Sequence, residues 1–239
     1  MKMHDLNLPE SVDAYFFDTP GDTAVALADA VAKHLSERLL IAPRASLAVS
    51  GGSTPLPFFE ALREKPLDWA RIDVLLADER WVSEDDNDSN TRLVRESLLQ
   101  GPASEARYLS LKQPGDTPAD GLAAAETALE ELHLPLDVLI LGMGNDGHTA
   151  SLFPDAPELD QALDTDSTAI VAPMTPPSQP QKRITLTLRA LSRAGFTALH
   201  LKGDDKLETL QGACSDIENI REMPIRAFLK PGLQVYWSA

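Results

Sequence analysis

Short runs of apolar and β-branched residues alternate along this chain with longer segments whose apolar positions recur at helical spacing. "AYFFD" leads into the Ala/Leu-rich stretch from Asp22 to Leu40, and "SLAVS", a helical segment after Pro55 and "IDVLLAD" repeat the strand–helix–strand order. "SNTRLVRESLL" and "PADGLAAAETALEEL" read as helices, separated by the short strand "RYLSL". "LDVLILG", "TAIVAP", "RITLTL", "FTALHLKG" and "LQVYWS" read as further strands. Such alternation predicts an α/β fold with a mostly parallel sheet and helices on its faces. No internal repeat appears. The only Pro-dense stretch, Ala172 to Arg183, is too short to separate two domains and reads as a surface loop over the site, so residues 1–239 are expected to form one domain.

The polar motifs are placed where the strands stop. "SGGSTP", "DERW" and "GMGNDGH" each begin at the end of an apolar run, and "KGDDK" follows a fourth. In open parallel sheets, loops at the carboxyl ends of strands line the ligand crevice, so these four are expected to meet at one site.

Composition narrows what that site can serve. The 239 residues are 43% hydrophobic and 24% charged, in the range of ordinary folded proteins. A formal charge of -16 repels a phosphate backbone over most of the surface, which excludes nucleic acid as the expected partner. "SEDDND", Ser83 to Asp88, reads as solvated surface. Cys214 stands alone, so no intrachain disulfide or C-x-x-C pair exists, and packing is its expected role. The start "MKMHDLNLPES" has no apolar leader core, and no run approaches the ~18 apolar residues of a membrane helix; no membrane association and a cytoplasmic location are expected.

Gly142, Gly144 and Gly147 have the G-x-G-x-x-G spacing of a dinucleotide loop. That use requires a long helix opening within the glycines, but Pro154 and Pro157 cut it short, and no acidic residue closes the next strand. The glycines instead permit a tight turn that exposes Asp146 and His148. An imidazole in such a loop suits proton transfer near neutrality, with Asp146 orienting the ring or binding substrate. A metal site from Asp78, Asp146 and His148 lacks a helical His pair or a Cys ligand, and no metal is expected.

"SGGSTP" offers backbone N–H groups at Gly51 and Gly52, hydroxyls at Ser53 and Thr54, and Pro55 suited to a first helical turn. Without a following G-K-[ST], a single phosphate monoester fits this cradle better than a nucleotide. Candidate cations for it are Lys206, Lys182 and Arg183, whereas Arg44 lies at the wrong end of its strand. Asp78, Glu79 and Arg80 fall on a further strand-end loop, where the plain reading is a surface ion pair and the chemical one has Arg80 stabilising charge on a reacting oxygen. Ser50, Ser53 and Ser151 lack the G-x-S-x-G elbow of a serine hydrolase.

Taken together, "SGGSTP", "DERWV" with "SN" downstream, "LGMGNDGHTASLFP", "RITLTL" and "GDDK" resemble the 6-phosphogluconolactonases, in that family's order. The related glucosamine-6-phosphate deaminases share the central loop as far as the histidine and then carry an Asn-Glu-Pro ending, where this chain has "TASLFP". The resemblance implies a three-layer α/β/α fold, hydrolysis of 6-phosphoglucono-1,5-lactone and no organic cofactor. It further implies that His148 activates water, Arg80 lies near the lactone carbonyl or the developing carboxylate, and Ser50 through Thr54 hold the phosphate with Arg183 and Lys206. Asp146 would support the histidine or a sugar hydroxyl. The partner is then a small sugar-phosphate lactone, and the chain is expected as a monomer or weak homo-oligomer. The competing readings are a sugar-phosphate deaminase or isomerase, which "TASLFP" disfavours, and a non-catalytic sensor, which the intact Asp146 and His148 disfavour.

Overall fold

Residues 8–239 are described by a computed structural model; residues 1–7, part of the stretch read as lacking a leader, lie outside it. The main sheet holds β1 (Asp13–Phe17), β2 (Ala45–Val49), β3 (Ile72–Leu76), β5 (Arg107–Leu109), β6 (Val138–Leu141), β9 (Phe196–Lys202) and β10 (Leu233–Ser238). All its pairings are parallel, in the order β1-β10-β9-β6-β2-β3-β5. The central strands are apolar on both faces because both are covered: every residue of β2, β3 and β6 is buried.

The helices are α1 (Pro20–Ile41), α2 (Leu56–Arg63), α3 (Asn90–Ser97), α4 (Pro118–Ala128), α5 (Leu159–Leu163), α6 (Leu188–Leu191) and α7 (Asp204–Cys214). α1 begins where Thr19 caps the Asp22 N–H ahead of a proline turn, and α4 begins with a reciprocal capping box between Thr117 and Asp120. α1 packs on α2 and α2 on α3, while α7 packs on β9. Cys214, at the end of α7, is half-buried, and burial pushes its thiol up. Among the described residues no helix is long and apolar enough to cross a membrane.

Three expectations are corrected. "TAIVAP" and "RITLTL" do not join the main sheet; as β7 (Val171–Met174) and β8 (Arg183–Leu186) they form a separate antiparallel sheet with β4 (Asp78–Arg80), in the order β4-β8-β7. Its first member, β4, is the "DER" that reads as a loop. Ala77 is the junction: its N–H donates to the Val49 carbonyl in the main sheet, and its carbonyl accepts from the Leu186 N–H. The chain therefore passes straight from one sheet to the other, and Asp78–Arg80 pairs with Thr185–Arg183. The Pro-dense stretch is likewise partly strand, since Ala172 to Met174 lie in β7. Its remainder is tied down: Thr175 Oγ1 donates to Glu158 at 2.5 Å, the Ser178 N–H to Asp155 at 2.8 Å and Gln181 Nε2 to Asp88 at 2.6 Å.

The strand order locates the crevice. From β2 the chain turns toward β3 and β5, but from β6 it turns toward β9 and β10. The connections leaving β2 and β6 part in opposite directions, which opens the sheet's carboxyl edge between them. Val49 sits opposite Ile140, and Leu141 opposite Leu199, so the loops after β2, β6 and β9 emerge side by side.

Candidate active site

A cavity of about 230 Å³ occupies this crevice. Its walls include Ser50, Gly51, Gly52 and Thr54 from the loop after β2, Arg80 from β4, His148 from the loop after β6, Arg183 from β8 and Lys206 from α7. Seven strands' worth of chain separate the first of these from the last, yet the topology gathers them at one edge. Ser53, expected with its neighbours, is exposed and not part of the wall. Lys182 is also exposed and off the wall, and Arg44 lies at the opposite edge, where it pairs with Asp73.

The turn after β2 is a cradle because the N–H groups of Gly51, Gly52 and Thr54 have no hydrogen-bond acceptor among the described residues, while Ser50 anchors the turn. The Ser50 N–H donates to the Ile140 carbonyl and the Ser50 hydroxyl accepts from the Gly142 N–H, which joins this turn to the loop after β6. Gly52 has a φ of +93°, and a Cβ at Gly51 would stand 2.0 Å from Asn90 Oδ1. The chain can follow this path only with glycine at both positions.

His148 is held on three sides. Asp146 Oδ1 lies 2.5 Å from its Nδ1 and also accepts the His148 backbone N–H at 3.1 Å. Phe153 stacks on the ring with centroids 4.1 Å apart, and the Gly144 N–H donates to the His148 carbonyl at 2.9 Å. Nδ1 engaged by the carboxylate leaves Nε2 as the nitrogen able to take a proton. Burial alone would raise the Asp146 carboxyl, but the hydrogen bonds and charge of His148 outweigh it and hold it below its ordinary value. Asp146 is behind the ring and not on the cavity wall. Of its two expected uses, this geometry favours orienting the ring.

Arg80 and Arg183 project from neighbouring antiparallel strands. Arg80 Nη1 donates to the Asp88 carbonyl at 2.6 Å, and Arg183 Nη2 to Gln179 Oε1 at 3.1 Å. The Nε of each is buried with no protein partner. Burial lowers the Arg183 guanidinium, although the Asp78 carboxylate works against the shift from 3.9 Å away. Lys206 Nζ rests on Asn145 Oδ1 at 2.5 Å, within the glycine loop itself.

Asp78 and Glu79 are not the surface ion pair that the sequence suggests: they are 5% and 1% exposed. Asp78 takes the Ser151 hydroxyl at 2.5 Å, and Ser151 is fully buried. Glu79 accepts the N–H groups of Arg80, Asn90 and Thr91 and the Ser89 hydroxyl. Among the described residues no group of three or more His, Cys, Asp or Glu side chains could hold a metal. The glycine loop likewise opens no long helix; the next helix, α5, is five residues long and starts at Leu159.

Sequence reasoning missed Asn90, His200 and Lys202, all on the cavity wall. Asn90 carried a signal, since it follows the "DERW" motif in "SN", but nothing assigned it a contact. His200 lies within an apolar strand run and carried none, whereas Lys202 opens the "KGDDK" motif, of which only Lys206 was assigned to the phosphate.

The geometry can be set beside known proteins. The family model described as glucosamine-6-phosphate isomerases/6-phosphogluconolactonase matches residues 18–237. A 6-phosphogluconolactonase of Pseudomonas aeruginosa is 46% identical over 237 residues, covering 99% of each chain, and one of Pseudomonas putida is 42% identical, covering 99% of this chain and 97% of its own. The crystal structure of a 6-phosphogluconolactonase from Shewanella baltica superposes with a TM-score of 0.93 at 41% identity, over 98% of this chain and 100% of the other. A monomeric glucosamine-6-phosphate deaminase shares the fold alone, with a TM-score of 0.75 at 19% identity. On this cover of its whole described length, the chain belongs to the family of glucosamine-6-phosphate isomerases and 6-phosphogluconolactonases.

Proposed function

We propose that the chain hydrolyses 6-phosphoglucono-1,5-lactone to 6-phosphogluconate, the second step of the oxidative pentose phosphate pathway. The observation that carries this reading is the oriented histidine in one cavity with an anion cradle and four cations, in a chain whose full-length relatives are 6-phosphogluconolactonases. In the proposed reaction His148 Nε2 takes a proton from water as the oxygen adds to the lactone carbonyl. Arg80 faces the charge that develops on the carbonyl oxygen. The ring C–O bond then breaks, and the leaving oxygen recovers the proton from the imidazolium. Asp146 keeps the ring in the required tautomer and stabilises its charged form. The Ser50–Thr54 turn, Arg183 and Lys206 hold the phosphate, and their binding energy positions the carbonyl against the base.

The deaminase reading is disfavoured at one position. Where the deaminase resemblance calls for an Asn-Glu-Pro carboxylate, this chain has Leu152 and Phe153, both buried, and Phe153 fills the space against the His148 ring. No acid is available there to open a sugar ring. The assay is direct: fresh 6-phosphoglucono-1,5-lactone should disappear above its spontaneous rate, and glucosamine 6-phosphate should release no ammonia. The reverse outcome would transfer the chain to the deaminases. In a folded protein, His148→Asn should lower kcat by ~10²–10⁴ and leave KM little changed.

A further inference from the structure

β9 ends in His200, Leu201 and Lys202, and the two-residue period of a strand places His200 and Lys202 on the same face. That face is the one α2 covers, because Phe58 of α2 meets the His200 ring edge-on with centroids 6.1 Å apart. The Ser50–Thr54 turn leads directly into α2, so the His200 ring sits beside the cradle and forms part of the cavity wall. The side chain is 6% exposed and its Nδ1 is buried without a partner. Among the described residues, the ring has no hydrogen-bond or ion-pair partner, and Phe58 is its aromatic neighbour.

A buried polar atom without a partner costs free energy, and phenylalanine would fill the same space without that cost. Nδ1 is sealed from the cavity, so the ring nitrogen left to meet a ligand there is Nε2, which has no hydrogen-bond partner among the described residues either. We propose that His200 is a substrate-positioning residue whose ring donates a hydrogen bond to an oxygen of the phosphate ester held in the Ser50–Thr54 turn. This rests on the phosphate-site reading given above. Lys202 and Lys206 on the same wall favour an anion there. Burial lowers the His200 pKa to about 4, so at neutral pH the ring is uncharged and carries one N–H. Phosphate oxygens only accept, and they select the tautomer that donates.

The test is His200→Phe, which keeps a flat ring against Phe58 and removes both nitrogens. Inorganic phosphate and 6-phosphogluconate, titrated calorimetrically, should bind about ten- to hundredfold more weakly, the worth of one hydrogen bond to a charged group. KM for the lactone should rise by the same factor with kcat nearly unchanged. The ligand-free melting temperature should not fall, because an unsatisfied atom has been removed. His200→Gln should recover part of the phosphate affinity. Unchanged phosphate affinity in a folded His200→Phe protein, or a Gln variant no better than the Phe one, would overturn the assignment. Calorimetry reads phosphate directly, so a protein that bound phosphate through His200 but left the lactone untouched would refute the lactonase reading and keep this one.

Discussion

At the scale of single residues, the site depends on what is missing as much as on what is present. A Cβ on Gly144 would lie 2.2 Å from the His148 ring and 2.6 Å from Asp146 Oδ1. Only glycine lets the backbone pass behind the pair at this distance. Gly144→Ala should therefore push the imidazole off its carboxylate, and we expect kcat to fall by about 10²-fold, the low end of an acid–base contribution, while phosphate affinity holds. Steady-state kinetics beside a phosphate titration checks this; a Gly144→Ala enzyme with wild-type kcat would show that the ring position does not matter. Lys206 supplies the contrasting case. Lys206→Ala should cost one to two decades of kcat/KM on the phosphorylated lactone, the worth of a charge-assisted contact of ~1.5–3 kcal/mol, and far less on the unphosphorylated one. Equal losses on both would move the lysine from the phosphate to the carbonyl or to folding.

At the scale of elements, β4 and the start of α3 form one unit through Glu79. Its two carboxylate oxygens take the Asn90 and Thr91 N–H groups and the Ser89 hydroxyl, which caps α3 and sets Asn90 against Gly51. In Glu79→Gln one oxygen becomes a donor facing a donor. The loss of stability should be about 2 kcal/mol, that of one or two buried groups left unpaired, with weaker phosphate binding as Asn90 shifts. Denaturant midpoints compared with the wild type measure it. This unit also shows where the sequence stops being legible. The main strands announce themselves as continuous apolar runs, and the loops after β2 and β6 as glycine-rich polar motifs at their ends. Asp-Glu-Arg has neither alternation nor apolar character, so its pairing with β8 is visible only once Ala77 is seen bridging the two sheets. β7 and β8 look like any other strands, because antiparallel and parallel partners leave the same mark on a four-residue buried run. His200 is hidden for the same reason: within "FTALHLKG" the strand period is plain, but which face meets a cavity is decided by α2.

At the scale of the whole molecule, the two edges of the sheet divide the work. Arg80, Arg183, Lys202 and Lys206 gather at the carboxyl edge and give a chain of net charge -16 a local place for an anion. At the amino edge Asp73, on β3, ties together the chain ahead of β2 and the start of β5: Arg44 Nη2 lies 2.6 Å from its Oδ1, and Arg107 donates Nε to Oδ1 at 2.7 Å and Nη2 to Oδ2 at 2.9 Å. Asp73 is 3% exposed. Burial alone would raise its carboxyl, but the hydrogen bonds and charges of Arg107 and Arg44 prevail and hold it below the ordinary value. A carboxyl lowered on folding stabilises the protein above its unfolded pKa of about 3.9, and that contribution is lost as pH falls through the lower folded value. Asp73→Asn should thus cost ~1.5–3 kcal/mol at pH 7, the range for hydrogen bonds to charged groups, and progressively less as the wild type is acidified below about pH 4. Because the site is on the other edge, kcat at neutral pH should stay at the wild-type level. Urea midpoints of both proteins at neutral and acid pH give the comparison: a gap that is the same at both would mean that Asp73 acts through shape and not through its charge.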